Sequence, residues 1–350
     1  MHIPDGYLSP ATCAVAGGLA LPAVRSALHR ARKSVGPRRV SLLALGAAFS
    51  FLIMMFNLPV PGGTSAHAVG AVAVAIALGP ASAVVCITVA LVIQALVFAD
   101  GGILALGANI LNMAVAMPLV GWGVYRLIAG GGEPSSRRRV AAAAAGGYAG
   151  INIAALLTGF EIGIQPLLFH TASGRALYSP YDLGQALPAM IVSHLTVAGF
   201  AEAAVTGLMI AYLLKANPAL LDSTTPHKAP RLAAALPGRK LRTAFVGLGL
   251  LLVLTPIGLI TTATAYGEGS AKDIAGEIGY APKGIASAEK SIPRSPLADY
   301  ALPGLPPVAG YLLSGALGAG LVAAGIAMPH WLRRRTRGTG PGARGDQTCS

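Results

Sequence analysis

The sequence predicts an all-α, polytopic membrane protein: a bundle of about seven helices followed by a two-helix C-terminal unit. Three observations predict this class. Of the 350 residues, 54% are hydrophobic and only 11% charged, where a soluble domain carries about 25% charged residues. The apolar residues gather into nine segments, about 10–28, 40–57, 66–79, 82–99, 103–129, 140–160, 184–214, 242–263 and 304–328; spanning a bilayer takes about 20. Lysine and arginine crowd alternate connections, with 20 of the 26 in residues 29–39, 126–139, 215–242 and 329–350. That alternation is the positive-inside bias, so the N-terminus is expected outside, the C-terminus in the cytoplasm, and the chain in the cell membrane as a multi-pass protein. A nucleic-acid-binding face would not alternate with apolar segments, so the net charge of +13 does not point to nucleic acid.

Taken in order, the first helix is expected to start about ten residues in. Ser9 reads as its N-cap and Pro10 as its first-turn proline. No Lys or Arg precedes the apolar run, so it lacks the basic flank of a cleavable signal peptide, and Met1 is expected to be retained with a free amine. The third segment is short and is expected to span incompletely or to pack inside the bundle. Thr64 or Ser65 is a plausible N-cap for it, and Gly62-Gly63 would let the chain turn sharply. The seventh segment is long enough to be tilted or bent. Small residues such as those of AVGAVAVAIALGPA (68–81) suit close helix approach, with a neighbour or a docking protein. The domain reading is residues 1–215 as one membrane unit and 216–241 as a Pro-rich, basic cytoplasmic linker. Residues 242–328 form a two-helix unit with a polar outer loop at 264–303, and 329–350 a basic tail. Cys13, Cys86 and Cys349 form no C-x-x-C pair, so neither a disulfide framework nor a thiolate metal site is expected.

The chemistry lies in MHIPDGYLSP and PVPGGTSAH. Met1-His2 offers three nitrogens in one dipeptide: the α-amine, the His2 amide once its proton is displaced, and an imidazole nitrogen. Three nitrogens in a plane leave one corner of a square, a geometry that favours Ni(II) or Cu(II). His67, at the end of PVPGGTSAH, falls on the same side of the membrane and could supply the fourth.

These two motifs, with ADGGILALGANILNMA (99–114) and SHLTVAGFAEAAVTG (193–207), resemble the CbiM/NikM family, the substrate-binding components of cobalt and nickel energy-coupling factor transporters. The resemblance runs over residues 1–214. It implies a metal held by four nitrogens from Met1, His2 and His67. Downstream, TPIGLITTATAYGEG (255–269), EIGYAPKG (277–284) and LADYALPG (297–304) resemble the small NikN-type subunit, fused here, which favours Ni(II) as cargo over Co(II). The resemblance also implies a transmembrane coupling protein and ATP-binding-cassette ATPase subunits as separate chains.

Polar residues inside apolar helices are costly and point to function. Gln94, Asn109 and Asn112 are expected at the depth where the histidines meet, where a side-chain amide could take the second N–H of a metal-bound imidazole; interhelical hydrogen bonding is the alternative. His194 and Glu202, eight residues apart on nearly one helix face, could form a proton relay, a second metal stop or a packing pair. Asp100 is expected to close a helix end, and His170 and Asp182 lie in an outer loop where they could attract cations. The chain has no G-x-x-x-x-G-K-[ST], H-E-x-x-H or G-x-S-x-G, so neither ATP binding by a P-loop nor enzymatic activity is expected. The competing reading is a proton-coupled metal permease working alone through His194 and Glu202.

Overall fold

The computed structural model describes residues 1–33, 37–60, 64–130, 135–222, 238–261, 266–293 and 295–338. Helix α1 (Pro10–Lys33) begins where Ser9 caps it: the Thr12 amide donates to Ser9 Oγ at 3.1 Å. Helix α2 (Pro37–Met54) leads into a hairpin of β1 (Leu58–Val60) and β2 (Thr64–Ala66), antiparallel with Leu58 opposite Ala66. Helix α3 (Ala71–Leu78) is eight residues long and wholly buried. The long helices α4 (Pro80–Phe98), α5 (Leu106–Ala129), α6 (Ser136–Leu168) and α7 (Leu183–Ala216) follow. A short α8 (Pro218–Asp222) leads toward the second unit. That unit comprises α9 (Gly238–Leu254), α10 (Ala271–Ile278), α11 (Lys283–Ser291) and α12 (Pro307–Gly338).

Seven of the described helices are long and apolar enough to cross a membrane, and the apolar part of α2 (Arg39–Met54) is a shorter eighth. Helix α3 sits among α4, α5, α6 and α7. That central place explains why it is apolar on every side, since no face of it meets lipid or water. Helix α12 packs along α2 and so fastens the second unit to the first.

Several expectations change. Thr64 and Ser65 belong to β2 and do not cap α3; Gly70, with φ of +72°, stands at its N-cap. Residues 264–303 are not simply a polar loop, because α10, α11 and a 3₁₀ turn at Ala298–Tyr300 form within them. Helix α12 runs ten residues past the expected end at 328. Gly62-Gly63, most of the linker and Cys349 lie outside the described residues. Three of the long helices contain wider π turns, at Gln94–Phe98, Ile110–Ala116 and His194–Ala198. Each widened turn holds a polar residue singled out above.

Candidate metal centre

The N-terminal nine residues fold back into the bundle and are fixed by its side chains. Asn109 clasps the Ile3 backbone on both sides: its Oδ1 accepts from the Ile3 amide at 2.8 Å and its Nδ2 donates to the Ile3 carbonyl at 3.1 Å. The same carbonyl accepts from the Gly102 amide at 2.8 Å. Asp5 accepts from the Ile103 and Leu104 amides at 2.8 and 2.7 Å, so it caps the turn before α5. Position 102 must be glycine for this contact, since a Cβ there would lie 2.5 Å from the Asp5 amide. Gln165 takes the Ser9 amide at 3.0 Å, and the Ser179 amide donates to the Tyr7 carbonyl.

This anchoring carries Met1 and His2 into the protein beside His67. The three residues are 5%, 4% and 6% exposed, so these are not solvated surface histidines. The His2 and His67 rings stack with centroids 5.0 Å apart and planes 24° from parallel. His67 Nδ1 lies 3.0 Å from the Ala68 carbonyl. A carbonyl only accepts, so Nδ1 carries the proton and Nε2 keeps its lone pair. Burial, helped by the N-terminal ammonium and His2, pushes the His67 imidazole down to about 3. It is therefore neutral, the form that binds metals.

His2 Nδ1 contacts Asp100 Oδ1 at 3.0 Å, and its Nε2 is buried without a hydrogen-bond partner. Burial works to raise the Asp100 carboxyl, but the charge and hydrogen bond of His2, with the Tyr300 hydroxyl, hold it below the usual carboxylate range. Its other oxygen, Oδ2, accepts from Tyr300 Oη at 2.5 Å and from Gln94 Nε2 at 3.1 Å. Gln94 thus acts one bond removed from the imidazole. The Met1 ammonium has Glu268 Oε1 at 3.8 Å.

Of the other predicted residues, Asn109 binds the Ile3 backbone, not a ring. Asn112 turns away from the histidines, donating to Glu161 Oε2 at 2.7 Å and Thr158 Oγ1 at 3.2 Å. His194 and Glu202 hydrogen-bond to different partners. His194 Nδ1 donates to the Met190 carbonyl at 2.7 Å, while Glu202 Oε2 accepts from the Val69 and Gly70 amides at 2.7 and 2.9 Å. One turn of helix widened to π geometry between them shifts the expected common face. Asp182 caps α7 in a capping box with Gln185, and His170 is exposed at a turn, its Nδ1 3.0 Å from the Thr171 carbonyl.

Sequence reasoning missed Glu268 and Tyr300, both from the second unit, although each lies in a stretch whose resemblance was visible (255–269 and 297–304). That unit covers the site. Tyr7 Oη donates to the Gly269 carbonyl at 2.7 Å, the Leu297 amide donates to the Val97 carbonyl at 2.9 Å, and Gly6 meets Gly284 backbone to backbone. Gly6 has φ of +86°, and a Cβ on it would sit 2.6 Å from the Gly284 carbonyl oxygen.

Among the described residues, no three His, Cys, Asp or Glu side chains cluster as a metal site. The nitrogen donors that meet here are the two imidazoles and the main-chain nitrogens of Met1 and His2. Such an all-nitrogen set matches borderline ions such as Ni(II), Cu(II) and Co(II), not Ca²⁺ or Mg²⁺.

Comparison with known proteins gives a concordant picture. Residues 2–220 match the family model CbiM, described as the cobalt uptake substrate-specific transmembrane region, and residues 239–335 match the PDGLE domain. The chain is 48% identical to the fused nickel transport protein NikMN of Rhodobacter capsulatus, over 97% of this chain and 100% of that protein. It is 41% identical to the cobalt transport protein CbiM of Clostridium cellulovorans, over 37% of this chain and 50% of that protein. The crystal structure of a truncated transition metal transporter superposes with a TM-score of 0.57 at 55% identity, covering 61% of this chain and 99% of that one.

Proposed function

Because the chain belongs to the CbiM family of cobalt uptake substrate-specific transmembrane regions, we propose that it captures Ni(II) at the outer face of the membrane as the substrate-binding component of an ATP-driven uptake transporter. It is a multi-pass membrane protein of metal transport, not an enzyme. The ligands in this reading are the Met1 amine, the His2 amide, a His2 imidazole nitrogen and a His67 imidazole nitrogen. The observation that carries it is the buried stack of His2 on His67 with Met1 buried beside it. The near-full-length likeness to a protein named as a fused nickel transporter supports Ni(II); Co(II) is the second reading, favoured by the family description.

Chemistry narrows the His2 donor. A chelate that already includes the His2 amide closes a six-membered ring through Cα, Cβ, Cγ and Nδ1, whereas Nε2 lies beyond reach. Nδ1 is the nitrogen that Asp100 holds, so capture takes the imidazole from Asp100. Loss of the amine and amide protons makes affinity fall in acid.

The chain carries no P-loop, so uphill uptake requires ATPase subunits and a membrane coupling protein in trans. The competing proton-coupled permease would run through His194 and Glu202, whose hydrogen bonds here go to Ser193 and Met190 and to the Val69 and Gly70 backbone. Purified chain in proteoliposomes tests the choice. The capture reading expects Ni(II) binding by calorimetry and no transport under a proton gradient until the partner subunits are added; transport by the chain alone would overturn it.

A further inference from the structure

We propose that Glu202, 135 residues along the chain from His67, is the positioning residue that presents the His67 imidazole to the metal. The inference rests on the reading above that His67 is a ligand. The link runs through one peptide group. Val69 N–H donates to Glu202 Oε2 at 2.7 Å, and the carbonyl of that same peptide, Ala68 C=O, lies 3.0 Å from His67 Nδ1 and accepts its proton. A peptide is planar, so a carboxylate that fixes the amide end also fixes the direction of the carbonyl end. That carbonyl sets both the plane of the imidazole and its tautomer, leaving Nε2 as the donor atom. Metal-binding histidines are commonly held by an acceptor on their second nitrogen. Here the acceptor is a main-chain carbonyl, and the carboxylate stands behind it.

The carboxylate is itself tightly held. Glu202 is fully buried in α7; its Oε2 also accepts from the Gly70 amide at 2.9 Å and its Oε1 from Thr206 Oγ1 at 3.3 Å. On the other side of this segment, Ser50 Oγ donates to the Val69 carbonyl. Gly70 then turns left-handed into α3 against the Phe49 ring, which a Cβ would approach to 2.7 Å. Residues 68–70 are therefore pinned at both faces, and hydrogen bonds aligned through one peptide reinforce each other.

The test uses the full chain purified in lipid nanodiscs. Glu202→Ala is expected to weaken Ni(II) binding about 10- to 100-fold, the usual effect of an outer partner of a ligand, and to change the Ni(II) ligand-field spectrum. Glu202→Gln, which keeps an acceptor oxygen, is expected to restore most of both. Glu202→Asp withdraws the carboxylate by one methylene and serves if the alanine variant does not fold. Ile151→Ala, in the core, controls for stability: it should lower Tm without changing affinity. In a His67→Ala background, Glu202→Ala should cost nothing further, since the two act as one unit. An equal loss in both backgrounds, or a lower Tm with unchanged affinity, would overturn the proposal. If His67→Ala alone leaves affinity intact, the ligand reading fails instead. The Glu202 link is then judged by ¹⁵N spectra of metal-free protein: Glu202→Ala should turn a single Nδ1–H tautomer of His67 into a mixture, and an unchanged tautomer would reject it.

Discussion

At the scale of single residues, the site depends on which nitrogens are already free of protons. His67 is held down to about 3 by burial. A histidine so lowered stays neutral from pH 5 to 8 and gives up no proton when a metal arrives. Proton release on Ni(II) binding, counted by calorimetry in buffers of different ionisation enthalpy, is therefore expected to be equal for wild type and His67→Ala at pH 7. Affinity is expected to differ greatly: His67→Ala should lose more than the ~10- to 100-fold that an outer partner is worth. Gln94→Ala removes a donor from Asp100 Oδ2, which leaves Asp100 freer to swing from His2. Since capture must take the imidazole from Asp100, Ni(II) affinity is expected to rise in this variant, with little change in Tm. Asn109→Ala differs in kind. It strands the Ile3 amide, a buried group whose unmet hydrogen bond costs about 1–3 kcal/mol, so thermal melting is the measurement that should move.

At the scale of elements, hydropathy alone placed a helix in each of the nine apolar segments, because lipid imposes length and composition on a spanning helix, while the helix ends differ from the segment ends by up to ten residues, as at Gly338. It also marked α3 as too short to span. The sequence was silent where partners lie far apart. Nothing in SHLTVAGFAE says that Glu202 meets the amide of Val69, 133 residues earlier. The PVPGGTSAH stretch reads as a helix entrance, yet its last residues pair as β2 with Leu58–Val60, since pairing is decided across the hairpin. The π turns were equally hidden, because one inserted residue leaves the apolar pattern intact while re-aiming His194. The polar run 264–303 looked like solvent-facing loop; only packing against Tyr7 and Gly6 gives it a role. Gly284→Ala tests that packing. Its Cβ would fall 2.3 Å from the Tyr178 ring and 2.8 Å from the Gly6 carbonyl oxygen, and overpacking of this kind costs about 1–3 kcal/mol. Faster Ni(II) dissociation in stopped flow is expected, with the ligands themselves untouched.

At the scale of the whole molecule, the metal reading depends on a chain end being unblocked. An uncleaved N-terminal tag, or an acetyl or formyl group, would remove the Met1 amine as a donor and push bulk into a closed pocket. Such a protein should insert and melt as wild type does, yet lose tight Ni(II) binding. A C-terminal tag extends from beyond Gly338, past the far end of α12, and should leave binding unchanged. Intact affinity in the N-terminally tagged protein would dismiss the amine from the ligand set and return Met1-His2 to an ordinary start.

The covering segment of the second unit belongs to the same chain as the cup it covers. Were the two separate polypeptides, their pairing would be a bimolecular encounter, slowed as the protein is diluted across the membrane. Tethering makes it unimolecular, with an effective concentration fixed by the chain itself. The pairing of the two units is then independent of how many copies the cell makes, since every site is synthesised together with the segment that packs on it.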